Sequence, residues 1–361
     1  MKICHYIWGA NFGGTWTLVR TIAKEQAKKH EVVILFAQKD NGVLDFDLPK
    51  VRVHNIEYKH NFDLSPTKIK KTIKFFKGFD VIHIHGLTYP IYLAAILSKV
   101  PIVFTFHGLL DFNNKVKNWR NLLKFFMMRQ TFGRYVSMVT TNSFFMRKEL
   151  EERYFENLPI EVVYNCYEIP DDNSHLENIV SDDFKILTFS RLVPYKRVEL
   201  FLDIISKLVD INIVGEIYGD GPERGKLMKT INELKLSVTL FSFTKNIHSR
   251  IETADLCLFP AKGEPFGISA LEVLSHGKIP LVFSDGGGLV EIVAPLHDGL
   301  FIVNNTDQAV ALIRRFYNNP SELDQFKESC KKRANDFSVD KISGIYIHHY
   351  LTVINRKELI S

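Results

Sequence analysis

KGEPFGISALEVLSHGKIPLVFSDGGGLVE, from Lys262 to Glu291, sets two carboxylates, Glu264 and Glu272, eight residues apart across the start of an expected helix. Pro265, Phe266 and Gly267 interrupt regularity after the first, and Ile268, Leu271, Val273 and Leu274 resume at helical spacing, so Glu264 belongs to a loop and Glu272 to the helix. At about 1.5 Å rise per residue Glu272 lies more than a turn along the axis, and both carboxylates can address one elongated ligand. Between them lies a helix N-terminus, whose unpaired N–H groups and partial positive charge favour an anion. A phosphate flanked by two hydroxyl-rich groups fits that arrangement. The strand expected near 280–283 and the glycine turn Gly286, Gly287, Gly288 complete a loop, helix, strand and turn order.

The same alternation runs through the chain. Strands are expected at 3–8, 32–36, 81–84, 102–106 and 136–140, then, after Pro170 and the polar stretch DDNSHLEN, at 184–189, 213–218, 238–241, 256–259, 280–283 and 300–303. Strands separated by helical patterns mean α/β structure with parallel sheets. The polar stretch reads as a linker between two doubly wound domains that face each other, with the site in the cleft at the carboxyl ends of their strands. In the first domain Gly13 and Gly14 follow a strand and precede a helix, a turn that brings backbone amides close to phosphate or sugar, although any tight strand–helix turn uses such a pair. His107, followed by Gly108, directly succeeds a buried-looking strand; it reads as a ligand contact or as a turn histidine bonded to backbone. His83 and His85 share one face of a strand, but no third ligand follows at suitable spacing, so no metal is expected and they are read as shaping the strand end.

Composition sets limits. With 361 residues, 46% hydrophobic and 24% charged, the chain suits two domains with full cores. Cys4, Cys166, Cys257 and Cys330 have no C-x-x-C spacing, which argues against a zinc site or disulfide framework and fits a reducing compartment. No signal peptide or 18-residue apolar run is legible, so a cytoplasmic location is expected, with peripheral contact on the inner face of the cell membrane. That contact rests on charge. Residues 1–170 carry a net +9 and the remainder −4, and much of the excess lies in KIKKTIKFFK (Lys68 to Lys77) and KVKNWRNLLKFFMMRQTFGR (Lys115 to Arg134). In the second block Trp119, Leu122, Leu123, Phe126 and Met127 recur near helical spacing among cations. Such a face can lie on an anionic membrane, or its stripe can be core and its cations solvated. The excess is modest and no nucleic-acid reader motif is present.

Two further motifs stand upstream of the opening stretch: FSRLVPYKRVELFLDII, from Phe189 to Ile205, and IYGDGPERGKLMKTINEL, from Ile217 to Leu234. In register with the E-x7-E spacing, the P-F-G after Glu264 and the glycine turn before Glu291, they resemble the retaining, nucleotide-sugar-dependent glycosyltransferases of family 4 (glycosyl transferases group 1) over nearly the whole chain. The resemblance implies a GT-B fold with two Rossmann-like domains facing across a cleft. An acceptor-binding domain spans 1–168, a donor-binding domain spans 169–340, and the last helix, about 341–361, packs back on the first. It implies that Arg191 and Lys196 bind the donor diphosphate, Glu272 the ribose hydroxyls and Glu264 the donor sugar. Phe266, Gly267 and Ile268 then offer backbone amides and His107 contacts the transferred sugar. No side chain is assigned as nucleophile, and no cofactor or metal is expected beyond a UDP- or GDP-sugar. The implied activity moves a sugar to a glycan or lipid-linked acceptor in surface polysaccharide or glycolipid assembly. A sugar-nucleotide hydrolase or epimerase and a catalytically silent binding partner are the alternatives. The chain departs from the family pattern at Ser190, at Asn165-Cys166 and near Ser242, positions that shape the nucleotide pocket and hinge. Asp220 and Glu223 read as caps of the following helix, and the plain alternative for Lys196 and Arg197 is that they solvate a helix start.

Overall fold

The structure, a computed structural model, describes residues 1–9, 14–38, 48–108, 119–168, 183–244 and 246–358. Gly13, the linker stretch after Pro170 and Lys115 lie outside the described residues, as do the side chains of Trp119, Leu122, Leu123 and Met127. The chain divides into two compact units, Met1–Glu168 with Val339–Ser361, and Ile169–Ser338.

Unit 1 begins β1 (Lys2–Ile7), α1 (Gly14–Gln26), β2 (Glu31–Phe36), β3 (Val51–Asn55), α2 (Pro66–Phe76), β4 (Val81–Ile84) and α3 (Tyr89–Ser98). It continues β5 (Ile102–Phe106), α4 (Trp119–Tyr135), β6 (Met138–Thr141), α5 (Phe144–Arg153) and β7 (Ile160–Val162). The described strands form one sheet in the order β3-β2-β1-β4-β5-β6-β7, every pair parallel. Parallel strands need crossovers, and helices on both faces make near-continuous apolar runs such as EVVILF the natural sequence for them.

Unit 2 repeats the scheme with β8 (Phe184–Phe189), α6 (Val198–Ser206), β9 (Ile213–Tyr218), α7 (Arg224–Glu233), β10 (Val238–Phe241), α8 (His248–Thr253) and β11 (Leu256–Phe259). Then come α9 (Ile268–Ser275), β12 (Ile279–Phe283), α10 (Gly288–Val293), β13 (Ile302–Val303), α11 (Thr306–Asn318) and α12 (Ser321–Asn335). Its sheet order is β10-β9-β8-β11-β12-β13, again parallel throughout. The chain ends in α13 (Val339–Glu358), which packs on α1 in unit 1.

Side-chain alternation divides the core of unit 1. Cys4, Tyr6, Ile82, Ile84, Phe104 and Phe106 face a cluster that includes Phe76, Phe132 and Phe155. Ile3, Ile7, Val81 and Val103 face the other way, against Val19, Ile22, Ile342, Tyr346, Tyr350 and Val353. The 342, 346, 350, 353 spacing is the apolar stripe of α13. The same parity places His5, His83 and Thr105 on this second face, each no more than 1% exposed, and His85 follows in step just beyond β4 at 5%.

Several boundaries differ from the sequence expectation. The strand expected at 136–140 begins at Met138 because the Val136 N–H still bonds the Phe132 carbonyl and closes α4. The strand expected at 300–303 shrinks to two residues after a 3₁₀ turn at His297–Gly299. β3 and β7, at the two edges, were not expected; neither is buried along its length, so neither carries a strong apolar signal.

Phe132 is fully buried, with ring centroids 4.9 Å from Phe104, 5.4 Å from Tyr92 and 5.9 Å from Phe155. Phe132→Ala is expected to lower the opening free energy of β5 amides by about 3–5 kcal/mol. Native-state hydrogen exchange checks this, with the strands of unit 2 as the unaffected internal reference.

Candidate active site

The order of the second sheet reverses between β8 and β11, so the loops beyond their carboxyl ends diverge and leave room for a ligand. Arg191 and Lys196 lie on the first of these loops and Glu264 on the second. Lys196 Nζ sits 2.7 Å from Glu264 Oε2, with side-chain exposures of only 13% and 15%. The contact is out of line for a directed hydrogen bond, since Oε2 accepts none, so attraction between charges is what joins them. The Arg191 guanidinium is exposed and donates to the Tyr195 hydroxyl at 3.0 Å.

Glu264 is held by its backbone. Its N–H donates to the Gly286 carbonyl at 3.1 Å and its carbonyl accepts from Gly288 N–H at 2.7 Å, a short parallel bridge that prolongs the β11–β12 pairing into the loops. Gly287 has φ +66°, and a Cβ there would stand 2.6 Å from the Glu264 carbonyl oxygen; only glycine fits. Gly267, with φ +105°, turns the chain into α9, and Phe266 is buried beneath it at 2% exposure. Ile268 therefore opens α9, and its first-turn N–H groups make the positive end of the helix. Glu272 lies within α9 as the sequence implied, and burial lifts its carboxyl to about 7.

Two sequence expectations need correction here. Arg197 is no loose surface cation: it adopts φ 48°, donates through Nε to the Pro260 carbonyl at 2.7 Å and grips both oxygens of Asp285 at 2.9 and 2.5 Å. One bidentate pair thus ties together the loops after β8, β11 and β12. The only sequence signal was a cation doublet, because its partners lie 63 and 88 residues away. Nor do Asp220 and Glu223 cap α7 through their side chains. The helix cap has no side-chain hydrogen bond, and the Asp220 carboxylate accepts instead from the Phe243 N–H at 2.8 Å, because the tight turn after β9 aims it at the loop after β10.

In unit 1 Gly14 opens α1 after the first strand, and His107 follows β5. No third ligand follows His83 and His85 at suitable spacing in the sequence, but His5 joins them from the adjacent strand β1, and the ligand-capable nitrogens of the three lie within 4.8 Å. All six ring nitrogens are nevertheless in hydrogen bonds. His83 meets Tyr350 and Thr105, each at 2.6 Å; His5 meets Gln26 at 2.8 Å and His85 at 2.9 Å; His85 meets His107 at 2.9 Å. A metal would have to break these pairings. Sequence spacing could not find His5 or Gln26, since strand neighbours in a parallel sheet are distant in the chain.

Comparison with known proteins agrees with this architecture. The family model for glycosyl transferases group 1 matches residues 171–333, and that for glycosyltransferase family 4 matches residues 12–169. The solved structure of Anabaena Alr3699/HepE with UDP and glucose superposes with a TM-score of 0.79 at 18% identity, covering 98% of this chain and 100% of that one. WaaG, a glycosyltransferase involved in lipopolysaccharide biosynthesis, superposes with a TM-score of 0.67 at 14% identity over 95% of this chain and 98% of its own. In sequence, the uncharacterized glycosyltransferase YqgM of Bacillus subtilis is 23% identical over 82% of this chain and 84% of its own. A glycogen synthase of Myxococcus xanthus is 33% identical over 41% of this chain, which spans about a third (33%) of that protein. The fold is GT-B, two Rossmann-like domains with parallel sheets. The chain belongs to the group 1, family 4 glycosyltransferases.

The raised Glu272 carboxyl makes stability depend on pH. An acid whose folded pKa exceeds its unfolded value holds more protons when folded, so its stabilisation is complete below about pH 4.5 and is lost as pH rises through about 7. Glu272→Gln abolishes that titration. Between pH 5 and 8 the ligand-free wild type is expected to fall progressively behind the variant, by up to about 3 kcal/mol, in denaturant titrations that follow unit 2.

Proposed function

We propose that this glycosyltransferase moves a sugar from a UDP- or GDP-sugar to a glycan or lipid-linked acceptor, retaining anomeric configuration, in the assembly of surface polysaccharide or glycolipid. The observation that carries the reading is the meeting of Lys196, Glu264 and the start of α9 beyond β8 and β11. A diphosphate leaving group gains charge as the glycosidic bond breaks, so cations held in advance favour the transition state over the ground state. Lys196 is already fixed by Glu264, and Arg191, on the surface with its Tyr195 contact, can turn toward phosphate. Phe266, Gly267 and Ile268 supply backbone amides, Glu264 accepts from donor-sugar hydroxyls, and Glu272, as carboxylate, accepts from the ribose. Gly13 and Gly14 contribute backbone near phosphate or sugar, and His107 contacts the transferred sugar. The leaving phosphate takes the proton of the attacking acceptor hydroxyl on the same face, so no protein nucleophile is required. The reading uses no metal and no cofactor besides the donor.

The comparisons support the substrate class: the Anabaena protein was solved with UDP-glucose, and a poly(glycerol-phosphate) alpha-glucosyltransferase of Bacillus subtilis is 25% identical over 50% of this chain and 27% of its own. Work on a lipid-linked acceptor suits a protein resting on the cytoplasmic face of a membrane. Among the described residues no helix is long and apolar enough to cross one. Exposed Lys70, Lys71, Lys74 and Lys77 line α2 and its end, Arg129 and Arg134 line α4, and Leu97 (50%), Phe126 (59%) and Tyr135 (43%), like Leu64 (56%) and Phe144 (57%), are exposed apolar side chains of unit 1. Met128 and Phe132, by contrast, are core, so only part of the α4 stripe is available to lipid.

Nucleotide release across UDP-, GDP- and ADP-sugars, with lipid-linked glycans added, tests the reaction. One donor should give acceptor-dependent release, and Glu272→Ala and Lys196→Ala should each lower kcat/KM by roughly 2–5 kcal/mol in activation terms. Release without acceptor would point to hydrolysis or epimerisation; saturable binding without release would point to a silent partner. Sedimentation with anionic vesicles tests the membrane contact, which should weaken with added salt and with Phe126→Ser; salt-independent or absent binding would remove it.

A further inference from the structure

The buried histidines of unit 1 are joined end to end. Gln26 Oε1 lies 2.8 Å from His5 Nε2, His5 Nδ1 lies 2.9 Å from His85 Nε2, and His85 Nδ1 lies 2.9 Å from His107 Nε2. His83, with its ring centroid 3.8 Å from that of His85, bonds Tyr350 and Thr105 instead, so the chain of contacts does not branch. Burial holds the rings neutral, pushing His5 and His107 down to about 4 and His85 well below the usual histidine range.

A neutral imidazole has one donor and one acceptor nitrogen, so the polarity of such a chain is set by its end. Here the end is an amide oxygen, which can only accept. His5 must then carry its proton on Nε2 and accept at Nδ1; His85 must donate from Nε2 and accept at Nδ1; His107 must donate from Nε2. What remains is the His107 Nδ1 lone pair, buried and without a hydrogen-bond partner among the described residues. We propose that Gln26, His5 and His85 are positioning residues that fix His107 as the tautomer whose Nδ1 is a bare acceptor, waiting for a ligand hydroxyl at the end of β5. That the hydroxyl is a sugar's rests on the transferase reading above.

The chain is not a proton exit. Its inner end is an amide, which does not titrate, so a proton entering at His107 has no acceptor to reach. The arrangement orients instead. A buried acceptor without a partner is costly, and a hydroxyl that donates to it recovers what desolvation took, whereas a group that can only accept is rejected. Gln26 Nε2, the other end of the amide, has no hydrogen-bond partner among the described residues, and the opposite amide orientation would reverse every donor in the chain, a difference the ring nitrogens report directly.

The experiment is ring-nitrogen NMR of the full chain labelled with 15N-histidine, with His107 identified by the signal lost in His107→Gln. Wild type should show a pyridine-type Nδ1 and a protonated Nε2 at His5, His85 and His107. Gln26→Glu, which only accepts once its carboxyl is ionised, should keep that pattern above neutral pH. Gln26→Leu should free the polarity and mix the His107 tautomers, lowering kcat/KM for the donor about 10-fold, with Gln26→Glu restoring most of the loss. A protonated Nδ1 at His107 in wild type, or a pattern indifferent to Gln26→Leu, would overturn the proposal. The wild-type and Gln26→Glu spectra decide it even if Gln26→Leu does not fold. An absence of transfer from every nucleotide sugar would defeat the transferase reading alone, because the ring nitrogens report the tautomer independently of turnover.

Discussion

Every described pairing in both sheets is parallel, and that constraint organises the rest of the molecule. A parallel strand cannot turn directly into its neighbour, so each is followed by a crossover and both faces of each sheet are covered. Chemistry is thereby excluded from the faces and confined to the loops at the carboxyl ends, above all where strand order reverses. Arg191, Lys196 and Glu264 occupy such loops in unit 2, and His107 occupies one in unit 1.

Confinement to loops raises the question of rigidity, since a loop without support cannot hold two opposite charges in place. Unit 2 answers it with backbone hydrogen bonds between Glu264 and Gly286–Gly288 and with the Arg197–Asp285 pair. The Lys196–Glu264 contact then needs little further ordering, because both backbones are already fixed. Unit 1 uses a different device. Its second sheet face accepts polar side chains, and the cost of burying them is met by mutual hydrogen bonds from Gln26 to His107 and from Thr105 to Tyr350. Helix α13 completes this face, with Tyr346 and Tyr350 beside the His83 ring.

The buried carboxyl of Glu272 and the neutral histidines show the same physics with different consequences. Low polarity penalises charge in each case, raising the acid and lowering the bases. For Glu272 this couples the stability of unit 2 to protonation near neutrality. For the histidines it removes charge altogether and leaves direction, the sense in which each ring donates, as the property that geometry can set.

The sequence by itself determined the fold class, most strands and the division near the polar linker. Apolar runs, turn glycines and the E-x7-E spacing are local signals, and local backbone preference reads them. It did not show β3 or β7, whose short, half-buried edges lack a pattern, nor that Asp220 turns to Phe243 rather than to its own helix. Only the tertiary structure brought Arg197 to Asp285 and Pro260, paired Lys196 with Glu264, and aligned Gln26, His5, His85 and His107. These partners are 21 to 88 residues apart. A parallel sheet makes neighbours of residues that the chain separates by a full crossover, so their meeting has no trace in local spacing.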